Sequence, residues 1–191
     1  MNHSAVKLIT AGIGVFAVVF ATAAASAGEK KTTSGAHLFD KGMQPILASY
    51  LKIQAALAGD TMKGVQPASQ AIAKEAKRLD GTSVTGEHAA HYAKLPQKLQ
   101  AAATALAAEA SIDRAREAFK ELSKPMALWG SMSKPAGIDV VFCSMAKGSW
   151  LQKSGAVRNP YHGASMLACG EVVGGADHAT KAMKHGKHGG H

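Results

Sequence analysis

Four consecutive stretches of the chain carry apolar residues three and four positions apart, the spacing of a helix with one buried face. Aromatic residues make up only 5% of the chain and much of the apolar content is alanine, which disfavours a β-sandwich or barrel. The sequence therefore predicts a mainly α fold, an antiparallel four-helix bundle. The four stripes are Met43, Ile46, Leu47, Tyr50, Leu51 and Leu57; Met62, Val65, Ile72, Ala76 and Leu79; Tyr92, Leu95, Leu99, Ala102 and Leu106; and Ile112, Ala115, Phe119, Leu122, Met126 and Trp129.

The ends of these helices are marked by turn residues, a cap and two prolines. The second helix is predicted from about residue 61 to residue 79, between Gly-Asp and Asp-Gly turns. Ser111 is placed to cap the fourth helix. Pro96 should kink the third helix or delay its start, and Pro125 should disturb the last turns of the fourth, because proline lacks a backbone donor.

Residues 134–173 have a different pattern, which predicts a small irregular cap containing β-strands. The segment 138–142 is short and β-branched, 149–152 is suited to pair with it, and 171–173 is a third short strand. Glycine and an Asn-Pro pair between them indicate turns. Bundle and cap together form the predicted folded domain, residues 38–173.

The two ends of the chain are predicted to lie outside that domain. Residues 1–27 read as a signal peptide, with an apolar run and an Ala-Ser-Ala cleavage sequence; an uncleaved membrane anchor is the alternative. Residues 28–37 form a polar linker, and 174–191 a disordered tail rich in histidine. We therefore expect the protein to be exported to the periplasm. After cleavage of the signal peptide we expect no association with the membrane. The net charge of +9 is spread along the helices, so nucleic acid is not an expected partner.

The cap concentrates soft metal ligands, which suggests a site for Cu(I) or another soft metal ion. Thiolate, thioether and imidazole groups suit such ions. In an oxidising compartment the two cysteines are also expected to form a disulfide, whose loop of about 25 residues would stabilise the fold by roughly 3 kcal/mol. Disulfide, metal site, free thiols and thiol redox chemistry remain open. The predicted ligands are Cys143, Met145, His162, Met166 and Cys169.

Histidines outside the cap fall into two further groups. His88 and His91 are three residues apart on the third helix, but no acidic residues at matching spacing face them, so surface positions are predicted. The tail histidines are expected to bind Cu(II), Ni(II) or Zn(II) weakly, because a flexible segment must be ordered on binding. A soluble basic tail is the alternative. These tail histidines are His178, His185, His188 and His191.

An enzymatic function is not predicted. The sequence has no Gly-x-Ser-x-Gly elbow, no phosphate-binding Gly-Lys-Ser/Thr loop and no His-Glu-x-x-His motif. A cysteine nucleophile next to His162 would lack an orienting third group.

Several motifs in order resemble an uncharacterised bacterial periplasmic domain, which also occurs at the C-terminus of adaptor subunits of heavy-metal efflux pumps. The resemblance covers roughly residues 38–173. The family pattern has proline at the position of Ser144 in this chain. The position of His162 is variable in the family. The motifs are Cys143-Ser144-Met145-Ala146, Trp150-Leu151, Asn159-Pro160-Tyr161-His162-Gly163 and Met166-Leu167-Ala168-Cys169-Gly170.

The resemblance implies a heavy-metal context, in particular copper or silver handling linked to efflux or resistance. The expected function is an exported heavy-metal-binding protein, with a metal ion and a periplasmic efflux or envelope protein as partners. The alternative is a disulfide-stapled periplasmic interaction module with no metal site of its own. The resemblance draws attention to Cys143, Met145, Asn159, Pro160, Tyr161, Gly163, Met166, Cys169 and Gly170.

Overall fold

The structure is a computed structural model and describes residues 27–175. It is a helical bundle followed by a three-stranded antiparallel cap, so the predicted mainly α fold with a small β-containing cap is confirmed. Short 3-10 helices lie at Gly81–Ser83 and Gly163–Met166. The main elements are α1 (Ala27–Ala58), α2 (Val65–Ala76), α3 (Ala89–Ala107), α4 (Ile112–Ser133), β1 (Ile138–Cys143), β2 (Gly148–Lys153) and β3 (Glu171–Gly175).

The element boundaries differ from the prediction at both ends of the domain. Helix α1 begins at Ala27 and therefore includes residues 28–37, which were predicted to form a linker. Strand β3 ends at Gly175, so the predicted tail starts two residues too early. The rest of the predicted signal peptide, residues 1–26, and the tail residues 176–191 lie outside the described residues.

Among the described residues, no helix combines the length and apolarity needed to cross a membrane.

The bundle core is built from the predicted apolar stripes. Each helix packs against the next in chain order, from α1 to α4. Tyr50 of α1 stacks on Phe119 of α4 with ring centroids 4.9 Å apart, and its hydroxyl lies 2.7 Å from the hydroxyl of Ser123. Helices α1 and α4 are thereby joined. Most stripe residues are buried; those only partly buried are Leu51, Met62, Leu79, Ala102 and Ile112.

The predictions about the helix ends and prolines have mixed outcomes, and the one for Pro125 is wrong. Helix α4 continues through Pro125 to Ser133, because Pro125 is buried and the following Met126 and Trp129 pack in the core. Packing thus outweighs the missing backbone donor of the proline. Helix α3 begins at Ala89, well before Pro96, so this proline does not set the start of the helix; the alternative prediction, a kink at Pro96, stays a prediction. Ser111 occupies the N-cap position of α4 as predicted, but its side chain makes no capping hydrogen bond.

The three predicted strands form one sheet in the order β2-β1-β3. Strands β1 and β2 form a hairpin in which Cys143 pairs with Gly148. Strand β3 returns antiparallel on the other side of β1, with Val172 opposite Val141 and an irregularity next to Val140. The sheet lies against α4, where a Cβ atom on Gly130 would approach a side-chain carbon of Leu151 to 2.6 Å. Glycine at 130 therefore permits this close contact of helix and sheet.

Candidate functional site

The two cysteines of the cap lie side by side. Cys143 is the last residue of β1, and Cys169 lies in the turn that leads into β3, the neighbour of β1. Their Sγ atoms are 3.0 Å apart, and both are free thiols. Cys143 is 1% exposed and Cys169 is half-buried. The pairing of β1 with β3 therefore brings together two thiols that are distant in the sequence.

The two thiols are not equivalent. Burial would raise the pKa of Cys143, but hydrogen bonds from Cys169, from the Ala146 and Met145 amides and from Asn159 outweigh it, so that the pKa is lowered. The Ala146 amide nitrogen lies 3.4 Å from the Cys143 sulfur. The pKa of Cys169 is raised, first because its thiol donates to Cys143 and then because of burial. Of the two thiols, Cys143 is therefore the one that loses its proton more readily.

Asn159 fixes the segment that carries Cys169. Its side chain is fully buried, and Nδ2 donates to the Cys169 carbonyl over 2.7 Å. Its Oδ1 accepts from the Tyr161 amide at 2.8 Å, and its own amide donates to the Leu167 carbonyl at 2.7 Å. One side chain therefore determines where both the 159–161 turn and the Cys169 turn lie.

The bundle holds the following loop through an ion pair. Asp60, after α1, pairs with Arg116 of α4, and its Oδ2 accepts from the Ala164 amide at 2.8 Å. Arg116 also donates to the Pro160 carbonyl at 3.3 Å. Gly163 has φ 57°, and a Cβ atom there would collide with Asp60 and Arg116. Only glycine fits this loop without strain or a shift of the ion pair.

Tyr161 anchors the same loop inside the cap. Its hydroxyl donates to the Ser149 carbonyl over 2.6 Å, and its ring meets Trp150 edge to face at 5.5 Å. A Cβ atom on Gly170 would come within 2.6 Å of the Trp150 ring, so the turn after Cys169 lies directly on that ring. Burial raises the pKa of Tyr161 above its ordinary value, because an ionised phenolate would be poorly solvated at this buried place.

The other predicted ligands are distributed unevenly. Met145 is 66% exposed in the turn after Cys143, and Met166 is partly buried at the end of the second 3-10 helix. The Nε2 atom of His162 is buried without a hydrogen-bond partner among the described residues. Across residues 27–175, no three His, Cys, Asp or Glu side chains are grouped to hold a metal ion. The structure thus pairs the cysteines but does not group His162 with them.

Two groups of histidines were predicted outside the cap. His88 and His91 are exposed, as predicted, with ring centroids 6.3 Å apart. The tail histidines His178, His185, His188 and His191 lie outside the described residues.

Several residues that position the site are not identified by the sequence patterns. Asp60 reads as a turn residue and Arg116 as one of many charges on α4, and neither position suggests a contact with the cap. Gln54 gives a weak indication, because it is a polar residue on the apolar face of α1. Its Nε2 donates to the Arg158 carbonyl at 2.7 Å and so joins α1 to the cap.

We expect the contact between Asp60 and the cap loop to weaken in acid. The Ala164 amide and then Arg116 lower the pKa of Asp60 from its ordinary value of 3.8. The contact therefore stabilises the fold fully above about pH 4, and its contribution is lost as the pH falls through the lowered pKa. Thermal unfolding of wild type and Asp60→Asn between pH 2.5 and 6 should give a difference that is constant above pH 4 and shrinks below it. A difference independent of pH would contradict this role.

Comparison with known proteins bears on the helical part of the chain. Residues 46–135 match a family model described as "Protein of unknown function (DUF3347)". The match ends before β1, so the paired cysteines lie outside it. No curated protein and no solved structure matches the chain. The helical part is therefore similar to an uncharacterised domain family.

Proposed function

We propose that the chain is an exported heavy-metal-binding protein that takes up Cu(I) or another soft ion, such as silver, through reduced Cys143 and Cys169. The observation that carries the proposal is the 3.0 Å approach of the two sulfur atoms. Thiolates select soft ions, and the pKa of one sulfur of the pair, that of Cys143, is lowered. Its proposed role is to handle copper or silver in the periplasm, as part of efflux or resistance. The proposed partner is an efflux or envelope protein.

Metal binding would require a small rearrangement of the pair. Two metal–sulfur bonds of about 2.3 Å at a tetrahedral angle place the sulfurs about 3.8 Å apart. The half-buried Cys169 lies in a turn, so it is the sulfur better placed to move. It would lose its proton on binding, as thiol ligands do.

Further ligands are available near the pair in the sequence. Met145 and Met166 would supply thioethers, which Cu(I) accepts. His162 has a buried nitrogen without a partner among the described residues, and a shift of its loop would bring it into use. The tail histidines are proposed to bind Cu(II), Ni(II) or Zn(II) weakly and to supply ions to the cap.

The proposal is tested by titrating the protein with Cu(I) against a chromophoric chelator under anaerobic conditions. A variant with all four tail histidines replaced by alanine isolates the cap. We expect this variant to compete for one Cu(I) when reduced, and not to compete after a disulfide has formed. Failure of the reduced variant to compete would refute the cap site. The tail is tested separately, since the substitutions His178→Ala, His185→Ala, His188→Ala and His191→Ala should abolish weak Ni(II) binding.

The disulfide-stapled interaction module is a second candidate, because two sulfurs 3.0 Å apart are also placed to be oxidised. We expect oxidised glutathione to convert the pair to a disulfide with release of two reduced glutathione molecules. Closing a loop of about 25 residues should then raise the free energy of unfolding by about 3 kcal/mol. Urea unfolding with and without reductant measures this, with Cys143→Ser/Cys169→Ser as the control that should not respond. A disulfide that strong reductant cannot open would favour the module over the metal site.

A further inference from the structure

An open cleft lies between α1 and β2, and neither cysteine lines it. It encloses about 530 Å³, within the usual range for small-molecule sites. Its apolar lining includes Leu51 and Ala55 of α1 and Ala156 of the loop after β2. Clefts between layers of secondary structure are common ligand sites.

The wall of this cleft is held in place by two buried glutamines. Gln54 donates to the Arg158 carbonyl at 2.7 Å, and the Arg158 amide donates to Oε1 of Gln152 at 3.0 Å. The same Oε1 accepts from the Trp150 ring nitrogen at 3.1 Å. The backbone of Arg158 is thus fixed on both sides, so the cleft is preformed and a ligand would not have to order it.

The charged side chains that line the cleft are all basic. They are Lys52, Lys153 and Arg158, and none of them forms a salt bridge within the described part of the chain. Three unpaired cations beside an apolar floor are complementary to a molecule with an apolar body and a negative end.

Two other clefts of similar volume show that this combination is not general to the surface. The second, of about 530 Å³, contains Lys98 and Lys124, but Glu121 pairs with Lys124 over 2.6 Å and leaves one unpaired cation. The third, of about 540 Å³, is lined mainly by acidic residues, including Glu109, Asp113 and Glu117. Of the three, the cleft at α1 and β2 carries the most uncompensated positive charge beside an apolar floor, with three unpaired cations against one in the second cleft.

We propose that this cleft binds a small amphiphile with an apolar body and one anionic head group, of the class of medium-chain carboxylates. The apolar body would lie on Leu51, Ala55 and Ala156, and the head group would meet Lys153 and Arg158 at the rim. This site is independent of the cysteine pair and of the function proposed for it.

Decanoate is the probe, measured by displacement of the fluorescent dye 8-anilinonaphthalene-1-sulfonate from the full chain. Decyltrimethylammonium, with the same tail and the opposite charge, is the matched control. We expect decanoate to bind at least tenfold more tightly than the cation, with a preference that falls as salt is added. Equal affinity for the two probes, or no displacement of the dye, would overturn the proposal.

Variants locate the site. Lys153→Gln/Arg158→Gln should weaken decanoate binding about tenfold, and Ala55→Phe should weaken it by covering part of the apolar floor while the charges remain. Lys98→Gln, in the second cleft, should leave the affinity unchanged, as should Cys143→Ser/Cys169→Ser. Because the two basic residues are exposed, their variants are expected to fold normally, and circular dichroism checks this. Decanoate affinity unaltered in the basic double variant would refute the assignment.

Discussion

The reduced Cys143→Ser variant is expected to bind Cu(I) at least 100-fold more weakly than the wild-type chain. Cys143 is one of the two proposed thiolate ligands, and the hydrogen bonds that lower its pKa hold that sulfur at the end of β1. A serine hydroxyl is a hard, neutral group that a soft ion does not select. A 100-fold loss corresponds to about 2.7 kcal/mol of binding free energy. Anaerobic competition titration of the variant without tail histidines measures it.

Substitutions of residues close to the two cysteines in the sequence separate metal ligation from folding. Ser144→Ala changes the neighbouring residue without removing sulfur and should leave the Cu(I) affinity unchanged. Met145→Leu and Met166→Leu roughly conserve side-chain volume. A Cu(I) affinity about tenfold lower in either variant therefore identifies that methionine as a thioether ligand. If Cys143→Ser binds Cu(I) as tightly as the wild type, the cap is not the metal site and the disulfide module becomes the better account.

The pairing of the two cysteines follows from elements that the sequence does predict. The β-branched segment 138–142 and the short segment 171–173 are recognisable as strands from their composition. Cys143 and Cys169 lie at or beside the ends of those strands. Once β1 and β3 are neighbours, the two thiols must be close. What the sequence does not predict is the strand order, because the relative positions of short strands depend on the bundle surface they pack against.

Unlike the strands, the polar contacts that hold the cap to the bundle could not be predicted from the sequence. Asp60 reaches the Ala164 amide across 104 residues of sequence, and Arg116 reaches the Pro160 carbonyl across 44. Local sequence periodicity does not predict such long-range contacts, since each of the polar residues involved is also common on an exposed surface. The errors at Pro125 and at the start of α1 have a similar origin. Rules for single residues or for composition describe a helix in isolation, whereas neighbouring elements determine where it ends.

Asn159→Ala is expected to lower the free energy of unfolding of the reduced protein by about 3 kcal/mol. Its amide satisfies the Cys169 carbonyl and the Tyr161 amide, and both groups would lose their partner in a buried place. Each unsatisfied buried polar group costs about 1–3 kcal/mol. Urea unfolding under reducing conditions measures the loss.

The control lies in the same loop. Ser165 is exposed and its hydroxyl donates to the His162 carbonyl at 2.6 Å, so Ser165→Ala removes a hydrogen bond without burying an unsatisfied group. We expect it to change stability by less than about 0.5 kcal/mol. Similar losses in the two variants would show that Asn159 is not specially important to the cap.

The same substitution links the fold of the cap to its chemistry. Without Asn159 the Cys169 turn loses the bond that fixes it beside Cys143, and the Cys143 sulfur loses one of its donors. In the folded fraction at low temperature, the pKa of Cys143 should therefore rise, and Cu(I) affinity should fall. The pH dependence of Cys143 alkylation, measured in Cys169→Ser with and without Asn159→Ala, isolates the contribution of the asparagine. An unchanged titration would mean that Asn159 stabilises the cap without tuning the thiolate.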